Sequence, residues 1–228
     1  DLNASFFHRH HPTRRGRPWI ELKLAMSLDA RIADSSGRSS WITGDSARAE
    51  VHRLRAGHDA VCVGIGTVLA DDPRLTVRGE IESRVSPVRV VLDRSLRLPT
   101  GSVLARTARD VPVWLVASAD APVEARRALE EVGVEVLEAS DLPGALRVLR
   151  ERGIGSLFVE GGAAVAAGLL AGDLVDRLSL FYAPLLLGEQ GLFPFPGAGA
   201  PLDGARRWRR LRTEAFGEDT LVTLEARR

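Results

Sequence analysis

The stretch from Ser39 to Arg78 constrains the fold of this chain most, because a helical pattern in it leads directly into a buried strand and a glycine turn. Apolar residues at Ala47, Val51 and Leu54 recur at the spacing of one helical face. The next apolar run, residues 60–63, is short and rich in β-branched residues, which is typical of a strand buried on both faces of a parallel sheet. This order predicts an α/β fold.

Two glycines, Gly64 and Gly66, follow that strand and precede a second short helical segment. Glycines at such a position let a phosphate approach backbone N–H groups, and the N-terminus of a following helix favours the anion. The pair alone indicates a tight turn as readily as a phosphate site. Arg55 and Arg78 bracket the turn, and a pair of arginines is suited to clamp a phosphate.

The rest of the chain continues the alternation of strands and helices. We predict strands at residues 19–26, 88–93, 111–117, 134–136, 156–159 and 176–184, and helices at residues 122–132, 142–152 and 163–170. Two segments that alternate with period two, 208–213 and 220–225, predict a C-terminal antiparallel hairpin. The pattern therefore predicts one open α/β sheet with ligands along its carboxyl edge.

Composition restricts the classes of protein to which this chain can belong. The 228 residues are 45% hydrophobic and 27% charged, with a net charge of +1, so we expect a globular domain that binds neither nucleic acid nor membrane. No apolar run approaches the roughly 20 residues of a membrane span, and we recognise no signal peptide. We therefore expect a cytoplasmic protein.

Metal and disulfide sites are not expected from the sequence. The single cysteine, Cys62, excludes an internal disulfide and a cysteine-based zinc site. Its apolar strand indicates a small core residue, not a nucleophile. His8, His10 and His11 lie in a basic run that has no neighbouring acidic or cysteine ligand. A solvated linker explains these three histidines better than a metal site does.

Several separated motifs carry a family resemblance. They are WITG at 41–44, HRLRA at 52–56, DAVCVGIGTVLADDPRLTVR at 59–78, LKLAMSLDARIA at 22–33, VVLD at 90–93 and FVEGG at 158–162. Together they closely resemble the reductase domain of bacterial riboflavin-biosynthesis proteins, over nearly the whole chain. The resemblance implies a three-layer, dihydrofolate-reductase-like α/β fold with a mostly parallel central sheet and a C-terminal antiparallel hairpin.

The resemblance also divides the chain. In two-domain members of the family a zinc deaminase precedes the reductase, and residues 2–9, LNASFFHR, resemble its final segment. The deaminase signature, His-x-Glu followed by Pro-Cys-x-x-Cys, does not occur in the sequence. We therefore expect residues 1–17 to be a linker from an absent deaminase domain and residues 18–228 to be the reductase domain.

The family reaction implied is reduction of 5-amino-6-(5-phosphoribosylamino)uracil, with hydride transfer from NADPH to C1′ of the ribosylamino group. The resemblance also implies a homodimer. Two other functions are considered: a dihydrofolate-reductase-like enzyme that reduces a pterin or another pyrimidine, and a non-catalytic NADP-binding module. The pair Arg55 and Arg78 argues against the pterin reductase, because such a substrate carries no sugar phosphate to clamp.

The resemblance assigns residues to each ligand. The substrate residues are Ser39, Arg55, Leu75, Arg78 and Glu160. The cofactor residues are Ala25, Trp41, Thr67, Asp71, Arg94, Gly162, Ala163, Ala164, Val165, Ala166, Ala167 and Gly168. Trp41 either stacks on a flat ligand or fills the core. Many family members carry serine where this chain has Arg94, so this contact departs from the pattern, although an arginine suits the 2′-phosphate of NADPH.

Asp29 is the candidate catalytic residue, with water as the alternative source of the proton. It follows the first strand in SLDA, where the family usually reads SLDG. An aspartate in this position either acts on a ligand or caps the turn. Because Ala30 replaces the glycine, a left-handed backbone is expected less at residue 30 than in the family pattern.

Overall fold

The computed structural model describes residues 16–39, 42–79, 85–197 and 199–227. Within these residues the strands are β1 (Trp19–Ser27), β2 (Ala60–Gly64), β3 (Val88–Leu92), β4 (Val113–Ala117), β5 (Glu135–Glu138), β6 (Ser156–Val159), β7 (Arg177–Ala183), β8 (Trp208–Phe216) and β9 (Asp219–Ala226). The helices are α1 (Asp45–Ala56), α2 (Ile65–Asp71), α3 (Val103–Arg106), α4 (Val123–Glu131), α5 (Leu142–Glu151) and α6 (Ala163–Ala171), with a 3₁₀ turn at Leu202–Gly204. Of the helices in this part of the chain, none is long and apolar enough to cross a membrane.

The described residues fall into two compact units, and each is made of two segments of the chain. The first unit comprises the described residues of Asp1–Trp19 and His52–Phe158. The second comprises those of Ile20–Val51 and Val159–Arg228. Residues 1–15, which contain most of the predicted linker, lie outside the described residues. The linker and the extent of the reductase domain therefore stay predictions.

The first unit contains a parallel sheet. Its strands lie in the order β5-β4-β3-β2-β6, and the pairs β2–β3, β3–β4 and β4–β5 are all parallel. Every residue of β2 is buried, as its continuous apolar run predicts for a strand covered on both faces. Cys62 is fully buried in β2, and burial raises the pKa of its thiol to about 12. Cys62 is therefore a core residue.

The second unit combines one parallel and two antiparallel strand pairs. Its strands lie in the order β1-β7-β9-β8. Strands β1 and β7 are parallel, whereas β7–β9 and β8–β9 are antiparallel. The last two strands form the predicted C-terminal hairpin, which turns at Gly217 with a positive φ of 64°. A register shift between Arg210 and Arg212 interrupts the pairing of β8 with β9.

Two local features differ from the expectation. The glycine turn after β2 is not a loop, because α2 begins at Ile65 and includes Gly66. The four-residue helix α3 was not predicted, because it is too short to show helical periodicity. Two side chains fix its start: Ser102 Oγ accepts a hydrogen bond from the Ala105 amide at 3.3 Å, and Asp72 Oδ1 accepts one from the Val103 amide at 2.8 Å.

Arg89 is a fully buried arginine in the middle of the first unit. Its side chain is 1% exposed, and burial lowers its pKa to about 10, so the guanidinium keeps its charge at neutral pH. Nη1 donates to Thr107 Oγ1 at 2.7 Å, and Nη2 donates to the Thr107 carbonyl at 2.8 Å and to the Val111 carbonyl. Nη1 also approaches the Arg74 carbonyl at 3.4 Å. Arg89 therefore satisfies buried carbonyls of two loops.

Replacement of Arg89 by methionine should destabilise the protein. The change removes the donor to the Val111 carbonyl, whereas the Thr107 carbonyl still accepts from the Asp110 and Val111 amides. Because an unsatisfied buried acceptor costs about 1–3 kcal/mol, we expect Arg89→Met to lower the free energy of unfolding by an amount in that range, measured by urea denaturation. Arg106→Met, at an exposed position on α3, is the matched control. A change for Arg89→Met no larger than that of the control would contradict the structural role of Arg89.

Candidate functional site

The residues assigned to ligands are distributed over both units, and each group is described within its own unit. The first unit contains Arg55, Thr67, Asp71, Leu75, Arg78 and Arg94. The second contains Ala25, Asp29, Ser39, Glu160, Gly162, Ala163, Ala164, Val165, Ala166, Ala167 and Gly168. Trp41 lies outside the described residues, and its two interpretations stay open.

In the first unit, two cofactor candidates lie at the carboxyl ends of neighbouring strands. The register pairs Gly64, the last residue of β2, with Leu92, the last residue of β3. Thr67 follows β2 in α2 and is half-buried, whereas Arg94 follows β3 and is exposed. Asp71 is exposed at the end of α2. The tertiary structure thus brings Thr67 and Arg94 to one sheet edge, as the strand pattern predicts.

The substrate candidates of the first unit meet in residues 72–78, here called the Asp72–Arg78 loop. Asp72 ends α2 in a left-handed conformation with φ of 39°. Leu75 also has a positive φ, 54°, and is only 3% exposed. This leucine therefore turns inward and anchors the loop in the core. Its backbone is uncommon for a residue with a β-carbon.

Arg55 holds the Asp72–Arg78 loop through the main chain. The side chain of Arg55 is 9% exposed, and its Nη1 donates to the Thr76 carbonyl at 2.8 Å. Arg78, two residues further along the loop, is exposed. The structure therefore joins both predicted arginines to one loop, but in different ways: Arg55 is buried against the loop backbone, and Arg78 extends from the loop surface.

A residue that the sequence analysis did not select also contacts this loop. His52, on α1, accepts a hydrogen bond at Nδ1 from the Arg78 amide at 3.2 Å. His52 and Arg55 are three residues apart, so they share a face of the helix. That spacing within HRLRA is a signal that would have suggested a joint role for them.

Asp93, the last residue of the VVLD motif, is a polar residue that the strand pattern places at the carboxyl end of β3. It follows β3 directly and is 1% exposed. Its Oδ2 accepts a hydrogen bond from the Leu98 amide at 2.8 Å, and burial raises the pKa of the carboxyl group. The backbone of the next residue, Arg94, is also held, because its carbonyl accepts a hydrogen bond from the Ser118 amide at 3.0 Å. The backbone beneath the Arg94 side chain is therefore held on both sides.

In the second unit, Asp29 holds a loop that follows β7. Its carboxylate accepts hydrogen bonds from Ser27 Oγ at 2.6 Å, the Leu187 amide at 3.1 Å and the Gly188 amide at 2.7 Å. These bonds favour the ionised form, and the Ser27 hydroxyl contributes most to lowering the pKa of Asp29 to about 2. Of the two interpretations of Asp29, the structure supports the turn cap, and a carboxylate ionised at neutral pH is a poor proton donor.

The backbone at Ala30 corrects the expectation drawn from the missing glycine. Ala30 has φ of 57°, so it adopts the left-handed conformation despite its β-carbon. Hydrogen bonds on both sides explain why this strain is tolerated. The Ala30 amide donates to the Ser27 carbonyl at 3.0 Å, and the Arg31 amide donates to Ser27 Oγ at 2.9 Å.

The segment after β6 contains Glu160 and the glycine-rich start of α6. Glu160 is half-buried. A β-carbon on Gly161 would lie 2.9 Å from Cβ of Val165, so close helix packing requires glycine there. Gly162 is the N-cap of α6, and no side chain caps the helix at that position. Ala166 and Leu169 are the buried residues of α6. Close packing of this helix accounts for its small side chains.

Two further candidates of the second unit, Ala25 and Ser39, are both partly accessible. Ala25 is half-buried in β1, where it pairs with Phe181. Ser39 is half-buried. Across the described parts of the chain, no group of three or more histidine, cysteine, aspartate and glutamate side chains is arranged to hold a metal ion.

Comparison with known proteins supplies the family. A family model described as the RibD C-terminal domain matches residues 18–222. The chain is 36% identical to the riboflavin biosynthesis protein RibD of Actinobacillus pleuropneumoniae over 229 residues. That alignment covers 97% of this chain but only 59% of the relative, so this chain spans less than two thirds of the length of that protein.

Two further proteins resemble this chain: a reductase that the chain covers for most of its length, and a protein of known structure. The chain is 39% identical over 184 residues to the 2,5-diamino-6-ribosylamino-4(3H)-pyrimidinone 5′-phosphate reductase of Archaeoglobus fulgidus, covering 75% of this chain and 83% of the relative. A Thermotoga maritima deaminase and 5-amino-6-(5-phosphoribosylamino)uracil reductase superposes with a TM-score of 0.78 at 33% identity, covering 92% of this chain and 57% of that one.

These similarities confirm the predicted α/β, dihydrofolate-reductase-like fold class with its antiparallel C-terminal strands. The residues that the family model matches also contain every motif of the resemblance, because the match extends from just before β1 into β9. The chain therefore belongs to the RibD C-terminal domain family.

Proposed function

We propose that this chain is a reductase of riboflavin biosynthesis that reduces 5-amino-6-(5-phosphoribosylamino)uracil with NADPH. The product carries a ribitylamino group in place of the ribosylamino group. The observation that carries the reduction is the match to the Archaeoglobus fulgidus reductase, since 83% of that protein is covered at 39% identity. The uracil substrate is proposed from the name of the Thermotoga maritima protein, which is 33% identical to this chain. A relative of nearly this size with a reductase name favours reduction as the activity of the shared part.

The residues of this chain fit a dinucleotide cofactor with phosphate groups. The N-terminus of α6 lacks a side-chain cap at Gly162, and such helix ends favour anions. Arg94 presents an exposed guanidinium after β3, which suits the additional phosphate of NADPH. When bound, the cofactor supplies the hydride, and the protein contributes binding and orientation.

On the substrate side, the Asp72–Arg78 loop is the proposed phosphate-binding element. Arg78 is exposed on this loop, and its guanidinium can donate two parallel hydrogen bonds to phosphate oxygens. The Nη1 contact of Arg55 with the Thr76 carbonyl fixes the loop next to Arg78. Arg55 therefore supports the phosphate site in two ways: it binds the loop backbone at Thr76, and it contributes a positive charge.

A proton is also required when hydride reaches C1′, and the residues do not assign it to Asp29. The three hydrogen bonds to its carboxylate keep Asp29 ionised at neutral pH. Its role in the proposed enzyme is to hold the Leu187 and Gly188 backbone. Water is the proposed proton source.

We also propose that the protein is a homodimer, as the family resemblance implies.

The first test is the loss of NADPH absorbance with the ribosylaminouracil phosphate, produced in the assay by a separate deaminase. Turnover with this substrate but not with its dephosphorylated form would support the proposal over a pterin reductase. Binding of NADPH without any turnover would instead favour the non-catalytic module.

In that assay Arg78→Ala should weaken substrate binding. Loss of hydrogen bonds from a charged group typically costs about 1.5–3 kcal/mol, so we expect KM for the substrate to rise about 10- to 100-fold with a much smaller change in kcat. Arg74→Ala is the matched control, because Arg74 is exposed on the same loop. An unchanged KM for Arg78→Ala would remove Arg78 from the phosphate site.

Arg94 should set the preference for NADPH over NADH. We expect Arg94→Ser to weaken NADPH binding about tenfold without affecting NADH, because only NADPH carries the 2′-phosphate. Dissociation constants of both cofactors can be measured by quenching of tryptophan fluorescence. Arg106→Ser is the control, since Arg106 is also an exposed arginine of the first unit. Equal losses for NADPH and NADH would show that Arg94 does not contact the 2′-phosphate.

Asp29 should act as a structural carboxylate. Its pKa is lowered from 3.8 to about 2, so its stabilising effect is complete above pH 3.8 and is lost as the pH falls through about 2. We therefore expect no ionisation of Asp29 in the rate profile between about pH 5 and 9, and faster exchange of the Gly188 amide in Asp29→Asn. A loss of turnover of about 100-fold or more with unchanged exchange would instead indicate a general acid.

A further inference from the structure

We propose that His52 is a positioning residue for the substrate phosphate, because it fixes the main chain of Arg78. The inference rests on the proposed function and adds a residue that the family motifs do not assign to a ligand. His52 does not need to touch the substrate. It acts through a hydrogen bond between its Nδ1 and the Arg78 amide, 3.2 Å apart.

The Asp72–Arg78 loop needs such support because of its backbone. Residues 73–78 belong to no helix or strand, so no ladder of main-chain hydrogen bonds determines their path. Hydrogen bonds with neighbouring elements hold the loop at intervals instead. The side chain of Asp72 accepts from the Val103 amide, whereas the Thr76 carbonyl and the Arg78 amide bind the side chains of Arg55 and His52.

Two of these contacts come from the same face of α1. His52 and Arg55 are three residues apart, about one turn of that helix, and their partners in the loop, Thr76 and Arg78, are two residues apart. Arg55 donates to a carbonyl, whereas His52 accepts from an amide. The pair thus fixes both the position and the orientation of the last three residues of the loop, from which the Arg78 side chain extends.

The hydrogen bond determines the chemical state of the imidazole. Nδ1 can accept the Arg78 N–H only when it carries no proton, so the proton of neutral His52 lies on Nε2. An asparagine places its carbonyl oxygen near the position of Nδ1 and offers the same acceptor. A leucine of similar bulk offers none. These two substitutions therefore separate the hydrogen bond from the volume of the side chain.

The test compares His52→Leu, His52→Asn and Arg53→Ala, with KM for the phosphorylated substrate measured at saturating NADPH. We expect His52→Leu to raise KM about three- to tenfold while kcat and the NADPH dissociation constant change little. His52→Asn should keep KM near the wild-type value. Arg53→Ala, exposed at the next position of α1, should also leave KM near wild type.

A double-mutant cycle with Arg78→Ala shows whether His52 acts through Arg78. If it does, His52→Leu adds no further increase of KM in the Arg78→Ala background. Three results would overturn the inference: an unchanged KM in His52→Leu, the same loss in His52→Asn as in His52→Leu, or an equal increase of KM whether or not Arg78 is present.

Amide hydrogen exchange in the unmodified protein gives a second measurement that does not depend on the folding of a variant. The Arg78 amide should be protected from exchange relative to its intrinsic rate, because it is hydrogen-bonded to His52. An unprotected amide would overturn the inference. Failure of the proposed function is distinguishable, because the wild-type protein would then show no turnover with the phosphorylated substrate while the Arg78 amide stays protected.

Discussion

The loops of this structure depend on hydrogen bonds between side chains and the loop backbone. Strands satisfy their own amides and carbonyls in the sheet, but the chain leaves that ladder wherever a strand or helix ends. Asp29, Asp93 and Arg55 each supply the missing partner at such a place, for the Gly188 amide, the Leu98 amide and the Thr76 carbonyl respectively. The loops that bear the candidate ligand residues owe their conformations to these bonds.

This arrangement separates residues that support a site from residues that contact a ligand. Arg55 and Arg78 look equivalent as two arginines that bracket the glycine turn, yet one is buried against the loop backbone and the other is exposed. The same division applies to Asp93 and Arg94, which are adjacent in sequence. In both pairs the buried side chain is hydrogen-bonded to the backbone, and the exposed arginine is the residue proposed to contact an anionic ligand.

The order of strands and helices could be predicted because burial leaves a periodic pattern in the sequence. The apolar run at 60–63 and the alternating segments near the C-terminus lie in strands, as expected. Helix α3 and the start of α2 at Ile65 were missed, because four residues and one boundary leave no periodic signal. The sequence named candidate site residues, but it could not predict their contacts. His52 was recognised only once its partner was known, and the hydrogen bond between Asp93 and the Leu98 amide was visible only in the tertiary structure.

The sequence by itself determined the α/β class, the buried strands, the core position of Cys62 and the family, since each depends on local pattern or on motifs in order. Only the tertiary structure decided what the polar side chains do. Asp29 and Leu187 are 158 residues apart, and Arg55 and Thr76 are 21 apart, so no local pattern links the partners. The left-handed backbone of Ala30 was decided in the same way. Its strain is tolerated because hydrogen bonds with Ser27 and the loop held by Asp29 fix the turn around it.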